Sequence, residues 1–341
     1  MRELLNTLYV QTPGTVLHLD HDAVLARQDG EPLGRVPLRR LMGIAAIGRV
    51  SVTPSLIQRC AEDGVTISWF THRGRHSGTL RGRTTGNVLL RLAQYQHYQD
   101  EAARLNLAQT IVAGKLRNAA RFARHAAHLA GPGSPSPELR TAAASLDEAR
   151  RSVADVTSLD AVRGVEGAAT RGHFENVRLA LRRDAGFTTR TRRPPLSPFN
   201  AVLSFVYALA RQRVEHACDS VGLDPQLGYL HSIRPGRPAL ALDLLEEHRP
   251  LMDQLCVTLT NRGQLPEKCF DVAVSGAVGL SDEGRRTVLT AWTGYLELEV
   301  RHQALRERIP AGLVFPVQAT ILARHLRGDL PHYLPHAMEP D

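Results

Sequence analysis

At 341 residues the chain exceeds the length at which a single core keeps growing, so two domains are expected, each able to fold without a staple. Cys60, Cys218, Cys256 and Cys269 form no C-x-x-C pair, which argues against a disulfide framework or a zinc site and fits a reducing cytoplasm. The formal charge of +8, from 42 Lys and Arg against 34 Asp and Glu, is spread along the chain and points to a polyanionic partner.

Lys115 and Lys268 are the only lysines, and the arginine fork suits phosphate recognition, although an alanine- and arginine-rich chain is also what a GC-rich genome produces. No apolar run is long enough for a signal core or a membrane span, so a chain that stays in the cytoplasm, with no membrane association, is expected.

From the start to about residue 81, short β-type runs at 7–10, 15–19, 23–27, 35–37, 44–50, 65–69 and 78–80 alternate with turn signals such as Pro13-Gly14, Asp29-Gly30 and Arg73-Gly74. One helix interrupts them at 54–61, with Thr53 as N-cap and Pro54 at the first helical position. After a linker at 81–86 the apolar period changes to that of a helix. The pattern predicts a long helical segment at 87–129, broken once, a loop at 132–137 and a helix through 151. Further helices are expected from about 158, at 199–220, 239–261, 281–306 and 313–327. The expected class is α+β: a β-rich domain over 1–82 and a larger all-α domain over 83–341.

Three places could carry chemistry. Glu166 lies in Gly164-Val165-Glu166-Gly167, and each helical glycine there costs about 1 kcal/mol against alanine, which suggests close approach of a backbone or ligand. His231 opens a loop that ends at Pro238, after a helix that Gly222 closes, and a neutral imidazole is both a metal ligand and a proton shuttle. Asp243 and Glu246 lie three apart on one helix, at the edge of and farther round from the stripe of Leu240, Leu244, Leu251 and Leu255. The ordinary alternatives are a surface glutamate, a polar turn histidine and a solvated acidic face. Two carboxylates and an imidazole otherwise suit Mg²⁺ or Mn²⁺ and phosphoryl transfer on DNA. His72, Arg73, Arg75, Arg81 and Arg83 at the junction, and Arg182, Arg183, Arg190, Arg192 and Arg193, are candidates for contact with phosphates.

Four stretches resemble a known family: residues 162–169 around Glu166, NAVLSFVYALA at 200–210, GLDPQLGYLH at 222–231 and RPGRPALALDLLEEHRP at 234–250. They are similar to the CRISPR-associated integrase of the adaptation module, the last stretch most of all to members from subtype I-C. The resemblance implies Glu166, His231 and Glu246 as metal ligands, with Asp243 in support; many relatives have aspartate in place of Glu246. Tyr207 lies near a tyrosine that relatives keep beside the site, but its role is not carried over. A β-sandwich-like dimerisation domain and a helical catalytic domain are also implied. So are duplex DNA with 3′ ends and the CRISPR repeat as substrates, and a heterohexamer of two homodimers bridged by one dimer of a small ferredoxin-like partner. The expected reaction inserts captured DNA into the array by transesterification. A stand-alone nuclease acting on branched DNA in repair and a non-catalytic DNA-binding scaffold are the competing expectations.

Overall fold

The computed structural model describes residues 2–4, 7–71, 76–80, 82, 88–130 and 135–337. The Arg73-Gly74 turn, the cluster His72, Arg73, Arg75, Arg81 and Arg83, and the linker except for Gly82 lie outside the described residues. The chain divides into two compact units, Met1–Thr85 and Gly86–Asp341.

In the first unit, β1 (Arg2–Leu4), β2 (Thr7–Val10), β6 (Gly43–Ile47), β8 (Thr66–Phe70) and β9 (His76–Leu80) form one sheet in the order β1-β2-β6-β8-β9. A second sheet has the order β5-β4-β3-β7, from β3 (Thr15–Asp20), β4 (Ala23–Gln28), β5 (Glu31–Pro37) and β7 (Val50–Val52). Leu8, Val10, Ile44, Ala46 and Ile67 of the first sheet share one apolar core with Leu17, Val24, Ala26 and Val50 of the second, the arrangement of a sandwich. Leu56 and Cys60 of α1 (Pro54–Glu62) join that core. The run expected as one strand at 44–50 is two strands in different sheets, because the chain turns at Gly48, whose φ of 79° a side chain would oppose. Thr53 does precede α1, but its hydroxyl meets Ser55 Oγ and caps no backbone N–H.

The second unit is built from α2 (Val88–Gln99), α3 (Glu101–Leu129), α4 (Ser136–Ser152), α5 (Leu159–Ala180), α6 (Pro198–Val221), α7 (Ala239–Glu246), α8 (Arg249–Asn261), α9 (Asp282–Glu297) and α10 (Ala311–Leu326). The expected break in the first long segment falls at Asp100, whose carboxylate accepts from Ala103 N and starts α3. Two predicted helices run too far. The segment 239–261 is α7 and α8, since Pro250 has no N–H to continue a helix and sits instead in the first turn of α8. The segment 281–306 stops at Glu297, and a hairpin of β12 (Glu299–His302) and β13 (Glu307–Pro310) follows, turning where Arg306 has a φ of 58°. A second short hairpin, β10 (Phe270–Val272) with β11 (Val278–Leu280), carries too few residues for a period to register. Among the described residues no helix is long and apolar enough to cross a membrane.

The fold class is therefore α+β, strands first and a larger helical region after. α7 lies inside the helical unit, with every residue buried except Leu242. That burial decides how its acids behave.

Candidate functional site

α7 follows a loop that five side-chain contacts hold down. Gln94 donates to the carbonyls of Asp224 and Leu227, Arg104 to that of Tyr229 and Arg163 to that of Leu230, while Tyr229 Oη donates to Gln94 O. Gly228 lets the loop lie against the start of α7: a Cβ there would stand 2.6 Å from the Ala239 carbonyl carbon. Asp243, fully buried, closes the arrangement from the helix side. Its Oδ2 accepts from Tyr229 N and Leu230 N (3.0 Å), and its Oδ1 accepts from His231 N at 2.9 Å.

The same Oδ1 lies 2.6 Å from His231 Nδ1. A carboxylate only accepts, so Nδ1 carries a proton, and in the neutral form of the ring Nε2 is left with its lone pair. Nε2 faces Glu246, 3.8 Å from its Oε1. Glu246, 3% exposed, receives Arg249 Nε on Oε1 at 2.8 Å, and its Oε2 lies 2.6 Å from Lys115 Nζ. The break between α7 and α8 is what places Arg249, the first residue of α8, back against the last residue of α7.

Lys115 joins the second acid. Its ammonium donates to Glu166 Oε1 and to Thr170 Oγ1 (2.7 Å), and the Thr170 hydroxyl donates to the same Glu166 oxygen at 2.8 Å. Thr170 sits one turn after Glu166 on α5, within reach of the same face. Burial is the largest effect on the Glu246 carboxyl and opposes its ionisation, yet Arg249, Lys115 and His231 together bring its pKa down to about 2. Both carboxylates thus converge on one cation that the protein itself provides. Among the described residues no set of three His, Cys, Asp or Glu side chains is arranged as a ready-made metal cage.

The three acids and the imidazole singled out in the sequence, Glu166, Asp243, Glu246 and His231, meet in this one place. Asp243 and Glu246 do not form a solvated face, since both are buried. The glycines beside Glu166 have no packing partner: nothing lies within 4 Å of a Cβ at Gly164, and only the end of Arg171 lies that near at Gly167. Arg190 is not a free phosphate contact, for its guanidinium donates to Asn200 Oδ1 and Ser204 Oγ and lies over the Tyr207 ring. Arg182, Arg183, Arg192 and Arg193 are exposed.

Sequence reasoning missed Lys115 and Arg249. Their signal was faint: one of two lysines in the chain, placed among alanines, and one arginine among forty. It also missed a buried relay behind Arg249, in which Tyr207 Oη donates to Asp253 Oδ1 and His173 Nε2 lies 2.9 Å from Asp253 Oδ2. The Arg249 guanidinium lies 4.8 Å from the Tyr207 ring centre, so the relay supports the group that holds Glu246. Burial first, and then Asp253, push the Tyr207 hydroxyl well above its ordinary range, which keeps it a donor.

The family is shown by a family model and by named relatives, and the fold by solved structures. The family model described as "CRISPR associated protein Cas1" matches residues 8–294. A relative from Moorella thermoacetica, named CRISPR-associated endonuclease Cas1 1, is 41% identical over 339 residues, covering 98% of this chain and 99% of its own. One from Rhodospirillum rubrum, CRISPR-associated endonuclease Cas1 2, is 42% identical over 343 residues, with 98% and 99% covered. Among solved structures, a casposase bound to integration product superposes with a TM-score of 0.84 over 98% of this chain and 96% of that one, at 21% identity.

Proposed function

The chain belongs to the CRISPR-associated Cas1 family, and on that premise we propose that it is a divalent-metal-dependent DNA endonuclease and integrase of CRISPR adaptation. The observation that carries this reading is the convergence of Glu166, Glu246 and His231 around a single ammonium, with the imidazole held from behind by Asp243.

Glu166, His231 and Glu246 are the groups that would hold Mg²⁺ or Mn²⁺. Carboxylate oxygens and a neutral imidazole nitrogen form a donor set for hard to borderline cations. The Asp243 contact to Nδ1 is the outer-shell carboxylate that fixes a ligand histidine and raises its basicity. A cation already sits between the two glutamates, that of Lys115, which supports the fit. A bound divalent ion supplies Lewis-acid polarisation of a phosphoryl oxygen and neutralises charge that develops on it. The chain's own residues do the rest by positioning: Asp243 orients His231, and Arg249 fixes Glu246.

The reaction we propose is transesterification. A free 3′ hydroxyl of captured duplex DNA attacks a phosphodiester of the CRISPR repeat; one P–O bond forms as another breaks, so a phosphodiester is exchanged and none is lost. The exposed arginines after α5 are suited to the DNA backbone. A homodimer formed through the β-rich unit, joined to a small ferredoxin-like partner in a heterohexamer, completes the proposal. Affiliation with subtype I-C rests on the wording of residues 234–250, and the protein is placed in the cytoplasm, where its cysteines, none in a disulfide, stay reduced.

The test is strand transfer of a duplex with free 3′ hydroxyls into a plasmid carrying leader and repeat, with and without the small partner. Transfer is expected with Mg²⁺ or Mn²⁺ and not with chelator, and it is expected to vanish in Glu166→Ala and His231→Ala. Cleavage indifferent to both the 3′ hydroxyl and the partner would support a stand-alone nuclease instead. Duplex binding with no chemistry under any ion would leave a scaffold.

A further inference from the structure

Lys115 lies mid-way along α3 and is 5% exposed. Its ammonium donates to Glu166 Oε1 and Thr170 Oγ1 and forms an ion pair with Glu246 Oε2. In a chain that otherwise answers almost every need for positive charge with arginine, the residue type is informative. A planar guanidinium cannot converge its donors on one point between two carboxylates, whereas an ammonium is a compact point charge on a flexible stem. The contact to Glu246 Oε2 is short in distance but is an ion pair without the alignment of a hydrogen bond, as a non-directional cation site would make it. Glu166 Oε1 and Glu246 Oε2 are the carboxylate oxygens that meet at the ammonium. A divalent ion placed between Glu166 and Glu246 competes for the position that the Lys115 ammonium occupies.

We propose that Lys115 is an exchangeable internal cation: it keeps Glu166 and Glu246 converged when no divalent ion is bound, and releases them when one binds. This inference rests on the metal-site reading above. Without a cation, the buried carboxylate of Glu246 and the half-buried one of Glu166 would repel and drift apart, or one would take up a proton. With Lys115 in place the site is assembled before the ion arrives. Once displaced, the ammonium remains a tethered positive charge beside the place where an anionic phosphodiester has to sit.

Because the chain has two lysines, full-length protein labelled with ¹³C at lysine Cε gives two signals, and Lys268→Arg assigns them. Lys268 pairs with Glu283 on the surface and serves as the internal reference. Titration of the chelator-treated protein with Mg²⁺ is expected to shift the Lys115 signal in step with binding heat and to leave Lys268 where it is. In Lys115→Met, Mg²⁺ affinity measured by calorimetry is expected to rise at least tenfold, and the chelated protein to melt below the wild type. If that variant does not fold, the labelled wild type still decides. A Lys115 signal that stays fixed while Mg²⁺ binds, and binds through His231 as judged by loss of heat in His231→Ala, overturns the exchange and leaves the metal site standing. So does a folded Lys115→Met protein that binds Mg²⁺ no more tightly. Absence of binding heat in the wild type, or full heat in His231→Ala, overturns the metal site and the exchange together.

Discussion

Replacing Asp243 by asparagine changes one atom in a fully buried side chain and tests how the loop that carries His231 is held. The carboxylate accepts four bonds: Tyr229 N and Leu230 N at Oδ2, His231 N and His231 Nδ1 at Oδ1. Asparagine keeps one oxygen, so its amide N–H₂ has to face one of the two pairs of donors. Hydrogen bonds to a charged acceptor contribute roughly 1.5–3 kcal/mol each, so losing a pair removes about 3–6 kcal/mol. The imidazole can recover part of this by accepting from the amide at Nδ1, which leaves about 3 kcal/mol as the expected loss. That recovery has a price in function, because a ring that accepts at Nδ1 carries its proton on Nε2, the nitrogen that faces Glu246. The stability loss is to be read from denaturant titration in the presence of chelator; the thermal midpoint is expected to fall by roughly 6–12 °C, at about 2–4 °C per kcal/mol for a unit of this size. Affinity for Mg²⁺ is expected to fall with it. A variant within about 1 kcal/mol of the wild type would show that Asp243 does not organise the loop.

Two further outcomes follow from the same geometry. Glu246→Gln is expected to destabilise by about 3 kcal/mol, since it takes the buried carboxylate from both Lys115 and Arg249, whereas Glu166→Gln, whose side chain is 24% exposed, is expected to lose about 1 kcal/mol or less. Calorimetric midpoints that reverse this order would contradict the burial argument. His336 is held well below the ordinary histidine range, first by burial and then by His248, His302 and Arg117. It is neutral in the native state while the unfolded chain takes up a proton below about pH 6.5, so stability is complete above that value and falls as the pH drops, by up to about 1.4 kcal/mol per pH unit. His336→Gln should flatten this dependence in denaturant titrations, and an unchanged slope would assign the effect elsewhere.

The two-part organisation was legible because each part repeats its signal many times: alternation with Pro13-Gly14 and Asp29-Gly30 turns at the start, helical spacing thereafter. The errors lie where a local rule acts once. Gly48 passes the chain from one sheet to the other within what reads as one β run, and Pro250 ends the helical continuity of a leucine-rich segment that is otherwise periodic. The hairpin after Glu297 is written in Leu298-Glu299-Val300-Arg301-His302, a run short enough to pass for one more helical turn.

The site was legible in its residue types and hidden in its environment. Periodicity puts Asp243 at the edge of an apolar stripe, but the stripe cannot say that α7 is covered all round, and it is the covering that turns an acid of the helix into the anchor of a loop. The same holds for Lys115. Nothing within α3 distinguishes a lysine that points to water from one enclosed by α5 and α7, because the difference is made by Glu166 and Glu246, fifty-one residues and more away in sequence. A buried ammonium is tolerated only where compensating charge is present, so the two carboxylates explain the lysine as much as the lysine explains them. Removing either side alone is therefore a different perturbation from exchanging the ammonium for another cation, and only the exchange leaves the site electrostatically complete.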